Sequence, residues 1–163
     1  MIGFYVGSFD PFTNGHMEIV RQATKIFDTV IVGVGTNPQK HHRFDKQLRA
    51  NAIQGAMIEA ALAPQVSVVT YEGLPTDEIS RWNTQEPVFL IRGLRNSLDY
   101  QYEETMASIN KNLSGIDTIY LRAGDLGDIS STMVMALYDA GKNVSEYLPP
   151  PIYRMVKDDV RRV

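Results

Sequence analysis

The 163-residue chain has no cysteine and a single tryptophan. Without cysteine there is no disulfide framework, no thiol nucleophile and no Cys-based metal site. No apolar run approaches the roughly 18 residues of a membrane-spanning helix, so no membrane partner is expected. Positive charge is scarce as well: 16 Lys and Arg stand against 19 Asp and Glu, a net charge of −3. A general nucleic-acid binder carries a basic excess, so nucleic acid is not an expected partner either. The opening Met1–Val6 has neither the basic start nor the cleavage site of a secretory leader. The expectation is a soluble cytoplasmic domain. What is present is ordinary for a globular protein, with 44% apolar and 21% charged residues. A chain of this length supports one hydrophobic core without a staple, and a single domain over residues 1–163 is expected.

Apolar runs and helical stripes alternate along the chain. Ile2–Val6, Thr29–Val34, Val66–Thr70, Val88–Ile91 and Thr118–Leu121 read as strands, short, apolar and bounded by turn residues. Between them lie helical patterns. Ile19, Val20, Ala23, Ile26 and Phe27 form one stripe from His16 onward. Asp45 caps a second helix with Leu48, Ala52, Ile53, Ala56, Met57 and Ala60 inward, broken by Pro64. Thr76–Trp82 is a short helix. Asp99 opens another with Tyr102, Met106, Ile109 and Leu113 inward. Ser130 begins one with Val134 and Leu137 inward, ended by Gly141. A last helix follows Pro149–Pro151 with Ile152, Met155, Val156 and Val160 inward. Strict alternation predicts an α/β fold, a doubly wound Rossmann-like five-stranded parallel sheet with helices on both faces. Ligands of such sheets bind outside the carboxyl ends of the strands.

Three polar clusters fall at those ends. The first is Gly7-Ser8-Phe9-Asp10-Pro11-Phe12-Thr13-Asn14-Gly15-His16. Its glycines let backbone approach a ligand, and the helix behind it offers an anion site, with His16 in the first turn able to bond a phosphate oxygen. A plain strand-to-helix turn with a surface histidine is the alternative. The string is neither a Walker loop nor a dinucleotide fingerprint. The second is Ile91-Arg92-Gly93-Leu94-Arg95, whose guanidinium forks suit phosphate oxygens unless they are merely solvated. The third is Asp128-Ile129-Ser130-Ser131-Thr132, three hydroxyls at a helix start, where Ser130 also fits a simple N-cap. His41 and His42 have no carboxylate or third His at ligand spacing and read as surface residues, so no protein metal site is expected.

The first cluster resembles the signature of the nucleotidylyltransferase superfamily. In the form Gly-Ser-Phe-Asp-Pro…Thr-Asn-Gly-His, together with Arg92-Gly93-Leu94-Arg95 and Ile129-Ser130-Ser131-Thr132, it resembles the bacterial phosphopantetheine adenylyltransferases. The late Glu146-Tyr147-Leu148-Pro149 fits as well, so the likeness spans the chain. The resemblance implies transfer of the adenylyl group of ATP to 4′-phosphopantetheine, giving dephospho-coenzyme A and pyrophosphate, with Mg²⁺ accompanying ATP. It implies catalytic roles for His16, Lys40 and Ser8, with His16 donating to the α-phosphate. It implies phosphopantetheine contacts at Ser8, Lys40, Leu74, Arg92, Tyr102 and Asn110. It implies ATP contacts at Gly7, Ser8, Phe9, Gly15, His16, Gly93, Arg95, Glu103, Ser130, Ser131 and Thr132. Tyr102 as helix core and Glu103 on a solvated face are the bland alternatives. A homohexamer and feedback binding of coenzyme A are implied too. Two features depart from the pattern: Thr132 replaces a serine, and Arg122–Asp128 is about a residue short and lacks an aromatic. Ile129–Thr132 alone equally suits an adenylyl- or cytidylyltransferase with another acceptor, such as nicotinamide mononucleotide. Arg92-Gly93-Leu94-Arg95 argues against that, and a non-catalytic nucleotide-binding module would be expected to have lost His16 or Lys40.

Overall fold

The structure, a computed structural model, describes residues 1–159; Val160, expected on the inner face of the last helix, lies outside them. The strands β1 (Ile2–Gly7), β2 (Thr29–Val34), β3 (Val66–Thr70), β4 (Val88–Gly93) and β5 (Thr118–Leu121) pair in one all-parallel sheet, in the order β3-β2-β1-β4-β5. The helices α1 (Asn14–Ala23), α2 (Lys46–Glu59), α3 (Pro75–Ser80), α4 (Ser97–Ser114), α5 (Ser131–Asp139) and α6 (Pro150–Lys157) alternate with them. The strand order reverses between β1 and β4. That switch point opens a crevice at the carboxyl ends of these two strands.

Side chains alternate across the sheet and build two apolar layers. Phe4, Val6 and Leu90 pack with Ile79 and Trp82 on one face. Tyr5, Val30, Val32, Val34 and Ile91 pack on the other, against Val20, Ile53, Met57, Val134 and Ile152 from α1, α2, α5 and α6. α4 lies on the first face, where its Glu103 meets Arg92. The layering follows from strands that are apolar on both sides, as a sheet covered on both faces requires. No helix among the described residues is long and apolar enough to cross a membrane.

Several helix faces differ from their sequence patterns. α1 ends at Ala23, so Ile26 lies beyond it and is exposed while Phe27 returns to the core. Asp45 does cap α2, accepting from the N–H groups of Gln47 and Leu48, but Leu48 points outward and Arg49 is buried in its stead. α2 stops at Glu59, five residues before Pro64, and the chain turns through Ala61 at φ 58°. α3 starts one residue earlier than expected, at Pro75, and ends at Ser80. α4 starts at Ser97, capped by Asn96 rather than opened by Asp99. Its buried residues are Glu103 and Asn110, while Tyr102, Ile109 and Leu113 are exposed and only Met106 is half-buried. In α5, Val134, Met135 and Tyr138 are buried and Leu137 is half-buried. α6 buries Ile152, Met155 and Val156 as its pattern requires.

Candidate functional site

A cleft of about 440 Å³ opens over the carboxyl ends of β1 and β4. The end of β1 and the loop after it bring Gly7, Ser8 and Phe9 to it; the start of α1 brings Gly15 and His16; the loop after β2 brings Lys40; the end of β4 brings Arg92 and Gly93 and the loop after it Arg95; α4 brings Glu103; the start of α5 brings Ser130, Ser131 and Thr132. The three clusters, separate in sequence, thus share one space. Leu74, Tyr102 and Asn110 do not line it. Leu74 precedes α3 and is exposed, Tyr102 faces outward from α4, and Asn110 is buried two turns along α4 from Glu103.

His16 is held by the start of its own helix. Thr13 is the N-cap, and its hydroxyl accepts from the His16 N–H at 3.4 Å. In return His16 Nδ1 accepts the Thr13 backbone N–H at 2.9 Å. This is a capping box with histidine at the position usually taken by Glu or Gln. A nitrogen that accepts from a backbone N–H carries no proton, so the imidazole proton is on Nε2. Burial pushes the pKa of His16 down to about 4, and the charges of Arg95 and Arg92 push the same way. Phe9 and Phe12 flank the ring at 5.1 and 5.4 Å between centroids. At neutral pH His16 is therefore an uncharged, oriented donor through Nε2–H.

The start of α5 is only partly free to bind. The Ser130 hydroxyl accepts from Met133 N at 3.1 Å, and the Ser131 hydroxyl donates to the Pro11 carbonyl at 2.7 Å. The first bond caps α5, and the second fastens it to the loop after β1. The N–H groups of Ser131 and Thr132, in the first turn, have no intrahelical acceptor and suit an anion. Gly15 explains how close the two helix starts come: a Cβ there would lie 2.8 Å from the Leu126 carbonyl oxygen and 3.3 Å from that of Ile129.

Arg92 lies inside β4, at its end, rather than in a loop. Its Nε and Nη2 donate to the two oxygens of Glu103 at 2.8 and 2.7 Å, and Nη1 donates to the Val6 carbonyl at 2.6 Å. A guanidinium has five N–H groups, so two remain for a ligand. Glu103 is thus neither on a solvated face nor unpaired; it orients Arg92. Arg95 is half-exposed and reaches Asp99 at 3.0 Å.

The loop carrying Lys40 is tied down by residues that sequence reasoning missed. Lys40 itself is exposed. His42 is not a surface residue: its Nε2 accepts the Asn37 N–H at 3.1 Å and its Nδ1 stands 3.5 Å from Asp10. Asp10 accepts from Arg43 N at 2.7 Å and Phe44 N at 3.0 Å. Arg49, buried at 1% exposure, donates to the carbonyls of Phe44, Ser8 and Gly35. A signal for Arg49 existed, since it precedes Ile53 by four residues and Ala56 by seven, on the apolar face of α2. Among the described residues no group of three or more His, Asp or Glu is arranged to hold a metal ion. The acids lining the cleft, Asp10, Asp99 and Glu103, are each engaged by protein donors.

The cytidylyltransferase-like family matches residues 4–137. The phosphopantetheine adenylyltransferase of Porphyromonas gingivalis is 40% identical over 149 residues, covering 91% of this chain and 94% of that protein. That of Kocuria rhizophila is 38% identical over 155 residues, covering 94% and 96%. Among solved structures, a bifunctional NMN adenylyltransferase/ADP ribose pyrophosphatase from Francisella tularensis, complexed with AMP and a manganese ion, superposes with a TM-score of 0.70 at 15% identity. The superposition covers 96% of this chain and 48% of that one, and at this identity it speaks for the fold alone.

Proposed function

This chain belongs to the phosphopantetheine adenylyltransferases of the cytidylyltransferase-like family, and from that premise we propose how its cleft performs the reaction. The 4′-phosphate of phosphopantetheine attacks the α-phosphorus of ATP. A new P–O–P bond forms, the α–β bridging bond breaks, and dephospho-coenzyme A and pyrophosphate leave. The acceptor phosphate is already an ionised nucleophile near neutral pH. The protein's part is therefore positioning and stabilisation of charge, not proton abstraction.

The observation that carries this reading is the neutral His16, with Nδ1 filled by its own helix cap and Nε2–H left as the donor. A cationic histidine would attract any anion equally. A fixed neutral donor helps most where charge builds, at the α-phosphate in the transition state. Lys40 and Ser8 orient the two reacting phosphates. Arg92, steadied by Glu103, takes the acceptor phosphate, and Arg95 the ATP phosphates. The first turn of α5, at Ser131 and Thr132 with Ser130 as its cap, holds the departing pyrophosphate. ATP enters as its magnesium salt. The free donors of the cleft are cationic side chains, an imidazole and N–H groups, which suits an ion carried by phosphates and water rather than by a protein cage.

Three further parts of the proposal lean on the family likeness. The enzyme works in the cytoplasm, and coenzyme A competes for the same cleft. It assembles as a homohexamer: Leu98, Tyr102, Ile109 and Leu113 form an exposed apolar stripe along α4 for other copies to cover, and sedimentation equilibrium should give the mass of six copies. The deciding experiment for the reaction is pyrophosphate release with Mg-ATP or Mg-CTP and each of 4′-phosphopantetheine, nicotinamide mononucleotide and glycerol 3-phosphate. Release only with ATP plus phosphopantetheine supports the reading. Release with another acceptor instead overturns it.

A further inference from the structure

Beneath the cleft sits a buried cation that the reaction as described leaves unused. Arg49, near the start of α2, directs its guanidinium to main-chain carbonyls rather than to a carboxylate: Nε to Phe44 at 2.9 Å, Nη1 to Ser8, and Nη1 more distantly to Gly35 at 3.4 Å. Burying a guanidinium is costly unless its bonds are made, so a fold that places one here needs those bonds at this junction.

The three carbonyls belong to two loops. Ser8 stands after β1, in the loop that leads to His16. Gly35 and Phe44 bracket the loop after β2 that carries Lys40. Asp10 crosses the same junction in the opposite sense, taking the N–H groups of Arg43 and Phe44. Arg49 and Asp10 together therefore set the distance between the Ser8 loop and the Lys40 loop. Arg49 also acts on a strained segment. Phe9 has φ 50°, a left-handed backbone that a bulky residue keeps only when its surroundings hold it. In a trans peptide the N–H points away from the C=O. With the Ser8 carbonyl turned onto Arg49, the Phe9 N–H is turned to the opposite side, and the pull of the guanidinium strengthens it as a donor.

We propose that Arg49 is a positioning residue for nucleotidyl transfer: it locks the Ser8 and Lys40 loops at the one spacing in which both meet the reacting phosphates. This rests on the reaction proposed above. The expected result follows from the steepness of rate with alignment. Arg49→Lys keeps a positive charge but cannot span three carbonyls, so kcat should fall about tenfold or more in a folded protein. The KM values for ATP and acceptor should stay within about threefold, because misalignment costs most in the transition state.

The distinguishing readout is a double-mutant cycle with Lys40. If Arg49 works by placing Lys40, Arg49→Lys made in a Lys40→Ala background should cost less than about threefold in kcat. Equal fold-losses in the two backgrounds, an effect on KM alone, or near-wild-type kcat in folded Arg49→Lys each overturn the proposal. Circular dichroism and thermal melting establish that the variants are folded. Should Arg49→Lys not fold, Asp10→Asn cuts the same junction from its other side and enters the same cycle with the same expected outcomes. Wild-type pyrophosphate release with ATP and 4′-phosphopantetheine is measured alongside. If the wild type reacts only with another acceptor, the reaction proposed above fails, and the cycle is run with that acceptor to judge Arg49 separately.

Discussion

His16 carries two duties that substitution can pull apart. Its Nδ1 completes the cap of α1, and its Nε2–H is the donor assigned to the α-phosphate. His16→Ala removes both. Loss of a capping interaction costs about 1 kcal/mol, which for a chain of this size lowers Tm by roughly 2–4 °C. Loss of a hydrogen bond to a charged group costs about 1.5–3 kcal/mol. At about 1.4 kcal/mol per decade that is a rate loss of roughly 10- to 150-fold, and donors aimed at developing charge reach about a thousandfold. KM for ATP should move little, since the bond strengthens on the way to the transition state. His16→Gln separates the duties. Its amide oxygen can take the Thr13 N–H, giving the usual capping box, and its amide N–H₂ retains a weaker, less fixed donor. Its melting temperature should match wild type and its rate should lie between wild type and His16→Ala. Calorimetry and single-turnover pyrophosphate release are the assays. A His16→Ala enzyme within about threefold of wild-type kcat would refute the role of the donor. A Gln variant as unstable as the Ala variant would refute the capping argument.

The depressed pKa of His16 makes a second prediction. Folded His16 titrates at about 4 against 6.5 for an unperturbed histidine, so as pH falls below 6.5 the unfolded chain takes up this proton first. Stability should be unaffected by His16 above pH 6.5 and fall between pH 6.5 and 4, by about 3 kcal/mol in all. Urea midpoints of wild type and His16→Gln followed over that window isolate the effect, because the two share every other titratable group, His41, His42 and the carboxylates included; parallel curves would sink it. A third prediction concerns Gly15. In Gly15→Ala the new methyl meets the Leu126 and Ile129 carbonyl oxygens, backbone that cannot step aside alone, so the start of α5 must shift. Weaker pyrophosphate binding together with a lower Tm is expected, read by isothermal titration and thermal melting; unchanged affinity would mean that the segment before Ser130 yields freely.

The strands and their order of use were legible because β1 to β5 are short apolar runs closed by turn residues, and a sheet covered on both faces leaves little else for such runs to be. The three clusters were legible because a parallel sheet gathers its carboxyl-end loops on one side, so sequence neighbours of different strands become spatial neighbours. α4 shows where this reasoning stops. Tyr102, Ile109 and Leu113 do form a helical stripe, but periodicity reports that a helix has an apolar side, not that its own chain covers it. Here the opposite side is the one turned inward, because Glu103 is drawn to Arg92 at the end of β4, and that bidentate bond fixes how α4 is rotated. Arg49 misled in the same way. Leu48 was the more apolar residue and the better inward candidate by pattern, yet the space beneath the cleft is lined by the carbonyls of Ser8, Gly35 and Phe44, which a guanidinium can satisfy and a leucine cannot. Both inversions lie beside the cleft. A site that must hold phosphates needs oriented cations and donors, those need buried partners, and the partners displace apolar residues from positions that hydrophobic patterning would give them. Arg49 and Glu103, the two positions beside the cleft where patterning fails, are the ones bonded to the carbonyls of Ser8, Gly35 and Phe44 and to the guanidinium of Arg92.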